Sequence, residues 1–178
     1  MILLECIHLF EGVLVITNKR CYIQKNDDFT LTEYNVPILF DDGETLEVYI
    51  DLDEYLVEFI KKFSTVKVFQ TWLDFGSAKY TFQLSESMLE TSIPELSCIC
   101  EIPEISKEQV TLQVVEGFLV IKFGKIEYQL PTLYSSDSVQ VSINANFLPS
   151  GLCKISIAEN TPIVVETDKK ILYIAPIQ

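Results

Sequence analysis

The sequence predicts an α+β, sheet-rich fold made of two similar halves with one clear helix. Three observations predict it: short apolar runs alternating with polar residues along most of the chain, one segment only with helical spacing, and a hexapeptide that occurs twice. The hexapeptide is Glu11-Gly-Val-Leu-Val-Ile16, which returns as Glu116-Gly-Phe-Leu-Val-Ile121 with five of six positions identical. A looser pair, Leu46-Glu-Val-Tyr-Ile-Asp51 and Val139-Gln-Val-Ser-Ile-Asn144, repeats in pattern. Repetition at this spacing implies two related halves, the first with a longer connection around Asn26 to Thr45.

In the first half, strands are expected at Ile2 to Phe10, Val13 to Thr17, Cys21 to Lys25, Thr30 to Pro37 and Leu46 to Ile50. The period then changes. Asp51 to Phe63 places apolar residues at 52, 55, 56, 59, 60 and 63, the stripe of an amphipathic helix, with Asp51 or Asp53 as N-cap. Acids fall at its start and Lys61 and Lys62 at its end, which suits the helix dipole. Strands at Val66 to Trp72 and Ala78 to Leu84 flank a turn at Asp74-Phe-Gly76.

Ser85 to Gln109 has no sustained period and contains two prolines, and so is expected to connect the halves, with a strand at Leu96 to Glu101. The domains are then 1–84, a connector 85–109, and 110–178. In the second half Val139 to Asn144 alternates as a strand, and Pro149-Ser-Gly151 closes the short turn after it. Strands at Cys153 to Ala158, Ile163 to Glu166 and Ile171 to Ala175 are separated by polar breaks.

The composition is that of a globular chain able to bury a core without crosslinks: 48% hydrophobic, 22% charged. No apolar run approaches the roughly 20 residues that span a bilayer, and Met1 to Glu5 lacks the basic start of a signal peptide. An intracellular protein, of cytoplasm or nucleus, is therefore expected. Five cysteines, odd in number and set in apolar strands, argue against a secreted disulfide scaffold. Cys98-Ile-Cys100 alone, in a chain with one histidine, does not make a zinc site. There is no phosphate-binding glycine loop, nucleophile elbow or paired Cys-x-x-Cys, so neither an enzyme nor a cofactor is expected. The formal net charge of −13 argues against a simple domain that grips DNA through phosphates. Net charge does not describe how charge is distributed over the surface.

The order of motifs near the end of the chain resembles the closing segment of DNA sliding clamps, the family of the bacterial beta clamp, PCNA and the phage polymerase clamps. The motifs are Ile143-Asn-Ala-Asn-Phe-Leu148, then Asn160-Thr-Pro-Ile-Val-Val-Glu166, then Leu172-Tyr-Ile-Ala-Pro-Ile177. The passage from Phe82-Gln-Leu84 to Ile93-Pro-Glu95 is similar to the same place in bacterial clamps. The resemblance implies two clamp-like halves and a processivity factor that encircles double-stranded DNA as a homo-oligomer, dimer or trimer, and tethers a DNA polymerase or other replication proteins. It implies DNA-facing basic residues, here Lys61, Lys62 and Lys67, with Lys19, Arg20 and Lys154. It also implies a pocket for partner peptides at Ala175, Pro176 and Ile177, joined by Leu89, Ile93 and Pro94 of the connector. Taken one by one, each lysine fits a solvated strand edge or loop better than a DNA contact, and Ile177 equally fits the core. The chain departs from the family in having one clear helix where each clamp domain carries two. The exposed face of that helix is mixed in charge, which also admits a clamp-like interaction subunit that never encircles DNA.

Overall fold

The computed structural model describes residues 1–18, 20–83, 93–94, 97–106, 108–132 and 139–177. They divide into two compact units, Met1–Lys25 with Thr32–Glu90, and Asn26–Leu31 with Thr91–Gln178.

In unit 1, β1 (Ile2–Glu5) leads into a 3-10 turn at Cys6–His8. Then come β2 (Gly12–Ile16), β3 (Cys21–Asn26), β4 (Thr30–Asn35), β5 (Ile38–Asp41) and β6 (Val48–Leu52). Helix α1 (Glu54–Ile60) is next, then β7 (Thr65–Val68), β8 (Trp72–Asp74) and β9 (Lys79–Thr81). One sheet has the order β5-β1-β7-β8-β9, and β4, β3, β2 and β6 lie side by side in that order. Alternate residues of both sets, among them Leu4, Leu14, Ile16, Ile50, Val66 and Leu73, meet Leu56, Val57 and Ile60 of α1 in one core.

In unit 2, β10 (Ser97–Ile102), β11 (Gln109–Val115), β12 (Phe118–Phe123), β13 (Ile126–Pro131) and β14 (Val139–Asn144) precede a 3-10 turn at Ala145–Phe147. Strands β15 (Gly151–Ser156), β16 (Ile163–Glu166) and β17 (Lys170–Ile174) complete it. The orders are β13-β12-β11-β14 and β10-β15-β16-β17. The core joins Leu112, Leu119, Ile121, Ile143, Ile155 and Ile163 with the thiols of Cys98, Cys100 and Cys153.

The two units share one wiring. β2 pairs antiparallel with β3 and β6 as β11 does with β12 and β14. β7 pairs with β1 and β8 as β15 does with β10 and β16. The expected sheet-rich fold of two similar halves with one α-helix among the described residues is what the chain adopts. No helix among them is long and apolar enough to cross a membrane.

Several expectations are corrected. The repeated hexapeptide does not mark equivalent positions: Glu11 to Ile16 forms β2, whose counterpart is β11, whereas Glu116 to Ile121 forms the turn into β12. The same Glu-Gly pair serves two purposes, since Glu116 and Gly117 take φ of 48° and 84° in a hairpin turn while Gly12 opens a strand. The first strand stops at Glu5, because the Cys6 N–H turns to the carbonyl of Ser64 (2.9 Å) and the Leu9 N–H closes on Cys6. The expected strand Val66 to Trp72 is broken into β7 and β8 by a turn in which the Phe69 N–H donates to the Trp72 carbonyl. The helix is shorter than its stripe, and Tyr55, assigned to that stripe, is 83% exposed. β5 was not foreseen as a strand.

Candidate functional site

Within unit 2 three segments distant in sequence converge. The polar turn after β3 lifts Phe29 into solvent, 61% exposed, while the Asp27 N–H closes the turn on the Thr30 carbonyl at 2.8 Å. The 3-10 turn after β14 is capped by Asn144, whose side chain accepts the Asn146 N–H, and it presents Phe147. The rings of Phe29 and Phe147 stack with centroids 6.1 Å apart. The tail after β17 then crosses this neighbourhood: the Ala175 N–H donates to the Phe29 carbonyl at 2.9 Å, and the Ile177 N–H to the Ser142 carbonyl at 2.8 Å. Pro176, lacking an N–H, sits between these two anchors.

The result is an apolar surface of Phe29, Phe147, Ala175, Pro176 and Ile177, with Ile177 47% exposed. Half-exposed apolar groups beside backbone that is held but not enclosed can receive both the side chains and the main chain of an extended peptide. Of this surface the sequence singles out Ala175, Pro176 and Ile177, and not Phe29 or Phe147. An aromatic residue directly after Asn26-Asp-Asp28, at the tip of an otherwise polar turn, was the available signal. Ile93 is exposed and Pro94 half-buried in the same unit, and no hydrogen bond ties them to the tail among the described residues. Leu89 lies outside the described residues.

The basic residues separate into two groups. Lys61 and Lys62 come directly after α1, and Lys61 lines an open hollow with Glu5, Cys6, Ile7, Phe63 and Ser64. The ammonium of Lys62 sits 5.8 Å from the Phe59 ring centroid. Lys67 is exposed on β7, opposite Leu3 on one side and Asp74 on the other. Asp53, Glu54 and Glu58 are exposed on the same helix, so its surface is mixed in charge.

Arg20 and Lys154 are engaged with carboxylates. The Arg20 guanidinium lies 2.7 Å from the fully buried carboxylate of Glu33 and packs 4.3 Å from the Tyr22 ring centroid. Lys154 holds Glu166 at 2.8 Å. Lys19 lies outside the described residues. The one histidine, His8, meets Glu5 at 3.1 Å on the surface. Among the described residues no group of His, Cys, Asp and Glu is arranged to hold a metal ion.

No family model matches the sequence, and no curated protein matches it in sequence. Solved structures do match, over nearly the whole chain. A putative DNA polymerase III beta subunit from Eubacterium rectale superposes with a TM-score of 0.63 at 12% identity, covering 99% of this chain and 65% of that one. The Helicobacter pylori beta clamp, solved with a DNA ligase peptide, gives 0.62 at 9% identity over 93% of this chain and 57% of that one. The PCNA of A. fulgidus, solved with the C-terminal region of FEN-1, gives 0.57 at 15% identity over 100% of this chain and 99% of that one. The chain thus spans less than two thirds of the bacterial proteins and nearly all of the archaeal one. With its repeated wiring, it has the sliding-clamp fold.

Proposed function

We propose that the chain is a non-enzymatic processivity factor that acts inside the cell, closes into a homo-oligomeric ring around double-stranded DNA and tethers a DNA polymerase or other replication proteins. In this reading 1–84 and 110–178 are the clamp-like halves, and 85–109 joins them while also supplying β10. Two exposed edge strands carry the proposal. β9 ends its sheet in unit 1 and β13 ends its sheet in unit 2, and both are exposed along nearly their whole length, with Tyr80, Ile126 and Tyr128 among their side chains. By the shared wiring β9 holds in unit 1 the place that β17 holds in unit 2, and β13 the place that β4 holds. Pairing β9 of one copy with β13 of the next would join two exposed edges head to tail, and a heterologous contact of this kind closes a ring where the rotation between copies permits it.

Lys61, Lys62 and Lys67 are the DNA-facing residues of this reading, since Arg20 and Lys154 are committed to carboxylates. The tail surface with Phe29 receives the partner peptides, as the peptide complexes of the structural neighbours support. Size exclusion with light scattering tests it. A dimer or trimer of the 20.3 kDa chain, reduced to monomer by Ile126→Asp with Tyr128→Asp and retained on circular but not linear DNA, is the expected result. A monomer at all concentrations overturns the ring.

A second reading, a clamp-like interaction subunit that does not encircle DNA, draws on the acidic side chains of α1 and the net charge of −13. An oligomer that leaves circular and linear DNA equally unretained favours it.

A further inference from the structure

β10 is the end strand of its sheet. β15 pairs along one edge, from Ser97 opposite Ser156 to Ile102 opposite Gly151, and no described strand lies along the other. An edge strand presents unpaired N–H and C=O groups to any extended chain that reaches it, so proteins usually cover or charge such edges. Unit 1 covers the same position: its counterpart β1 carries β5 on the outer edge, antiparallel, with Leu3 opposite Phe40 and Leu4 opposite Ile38.

The exposed face along the β10 edge is not protected by charge alone. Ile99 is 69% exposed, and Leu152 on the neighbouring strand is 74% exposed. The register places Ile99 opposite Lys154 and Glu101 opposite Leu152, so the four side chains form a chequer of two apolar and two charged groups on one face. Lys154 is drawn to Glu166 at 2.8 Å, away from the strand that carries Glu101. The outer row therefore offers an apolar contact at Ile99 and a negative one at Glu101, two residues apart on the same face.

We propose that the free edge of β10 docks an extended segment of a partner protein, which adds as an antiparallel strand with an apolar residue opposite Ile99 and, two residues earlier in its own chain, a lysine or arginine opposite Glu101. The residue between these two faces the buried side, opposite Cys100, and is small and apolar. Main-chain hydrogen bonds supply the attachment, and the two outward side chains supply the choice of partner. The site lies on β10 and β15 alone and does not depend on ring closure.

The probe is a fluorescein-labelled peptide, Ser-Thr-Lys-Val-Ile-Val-Thr-Ser, followed by anisotropy against rising concentrations of the full chain. Saturable binding is expected, weakened about tenfold or more by Ile99→Asp, a difference of about 1.4 kcal/mol. Glu101→Lys should weaken it similarly, and a second probe with glutamate in place of the lysine should then bind Glu101→Lys better than the wild-type chain. Both positions are exposed, so the variants should keep the wild-type circular dichroism spectrum and melting temperature. Absence of saturable binding, or equal binding by the wild type and both variants, overturns the proposal. So does self-association of the unliganded chain that Ile99→Asp abolishes, because a second copy would then occupy the edge.

Discussion

Asp53 and Asn144 hold the same place in their two units. Each ends or directly succeeds the strand paired with the first long strand of its half, and each caps the short helical element that comes next. The Asp53 carboxylate accepts the Leu56 N–H at 2.8 Å, and the Asn144 side chain accepts the Asn146 N–H at 2.9 Å. The capped elements differ: Glu54–Ile60 runs on as an α-helix, whereas Ala145–Phe147 makes a single 3-10 turn before Pro149 and Gly151. Equivalent caps thus start elements of unequal length, and the residues beyond each cap set that length.

The Asp53 cap satisfies one of the donors that the first turn of α1 leaves open. Asp53→Ala should lower stability by about 1 kcal/mol, and Asp53→Asn by much less. Urea denaturation of the three proteins checks this, with an unchanged m-value as the sign that the same unit unfolds.

These caps also show what the sequence could tell. Asp53 was one of two expected caps, and α1 was legible because Leu52, Leu56, Phe59, Ile60 and Phe63 keep a helical stripe. β15, β16 and β17 were legible to within a few residues because each is a short, mainly apolar run between polar breaks. β5 escaped because Ile38, Leu39 and Phe40 are consecutive, apolar and all exposed, so neither alternation nor burial marks them. Phe29 and Phe147 escaped for another reason: their stacking joins a hairpin turn to a 3-10 turn far along the chain, and local pattern carries no trace of such a contact. The hexapeptide misled because identity over six residues reflects a common strand-and-turn chemistry as readily as a common position.

Gly12 makes a test of backbone geometry. Its φ is +146°, and a Cβ placed there would stand 2.7 Å from the Ile23 Cγ2 and 2.8 Å from the Gln24 carbonyl oxygen. The side chain of Ile23 can shift, but the carbonyl belongs to the paired strand β3 and cannot move without disturbing the ladder. Gly12→Ala should cost about 2 kcal/mol from overpacking and strain together. A fall in melting temperature measures it, and a melting temperature equal to wild type would contradict the geometry.

Arg20, one of the residues expected to meet DNA, holds a buried carboxylate. The guanidinium stands 2.7 Å from a carboxylate with no exposed surface, although Arg20 itself is partly open to solvent, which screens the pair. Arg20→Met should destabilise by about 2 kcal/mol, less than breaking a fully buried pair costs. Chemical denaturation reads that loss. Retention on circular DNA, measured where both proteins are folded, should not change.

Burial pushes the Cys6 thiol from its ordinary value of 9.0 up to about 11, and the Cys21 thiol up to about 12. The folded chain therefore favours the protonated thiol more than the unfolded chain does. The stabilisation is complete below pH 9 and is lost as pH rises through about 11 to 12. Melting temperature should hold between pH 7 and 8.5 and fall above pH 9.5, and Cys21→Ala should make that fall shallower. At pH 8 thiol reagents should label the native chain slowly and all five cysteines promptly once it is unfolded, since all five are buried.

Phe29 tests the proposed peptide surface separately from the fold. Its ring is 61% exposed and rests on Phe147, while the bond that fixes the tail uses its backbone carbonyl, which any residue supplies. Phe29→Ser should therefore leave stability within about 0.5 kcal/mol of wild type. Affinity for a labelled polymerase tail peptide should drop about tenfold, because an exposed aromatic anchor is lost. Deleting 175–178 should abolish that binding and also free the Phe29 carbonyl, so the two variants differ in what they remove. If the deletion abolishes binding while Phe29→Ser leaves it unchanged, the peptide uses the tail alone and Phe29 is only its neighbour. If neither variant alters the affinity, the partner surface lies elsewhere on the chain.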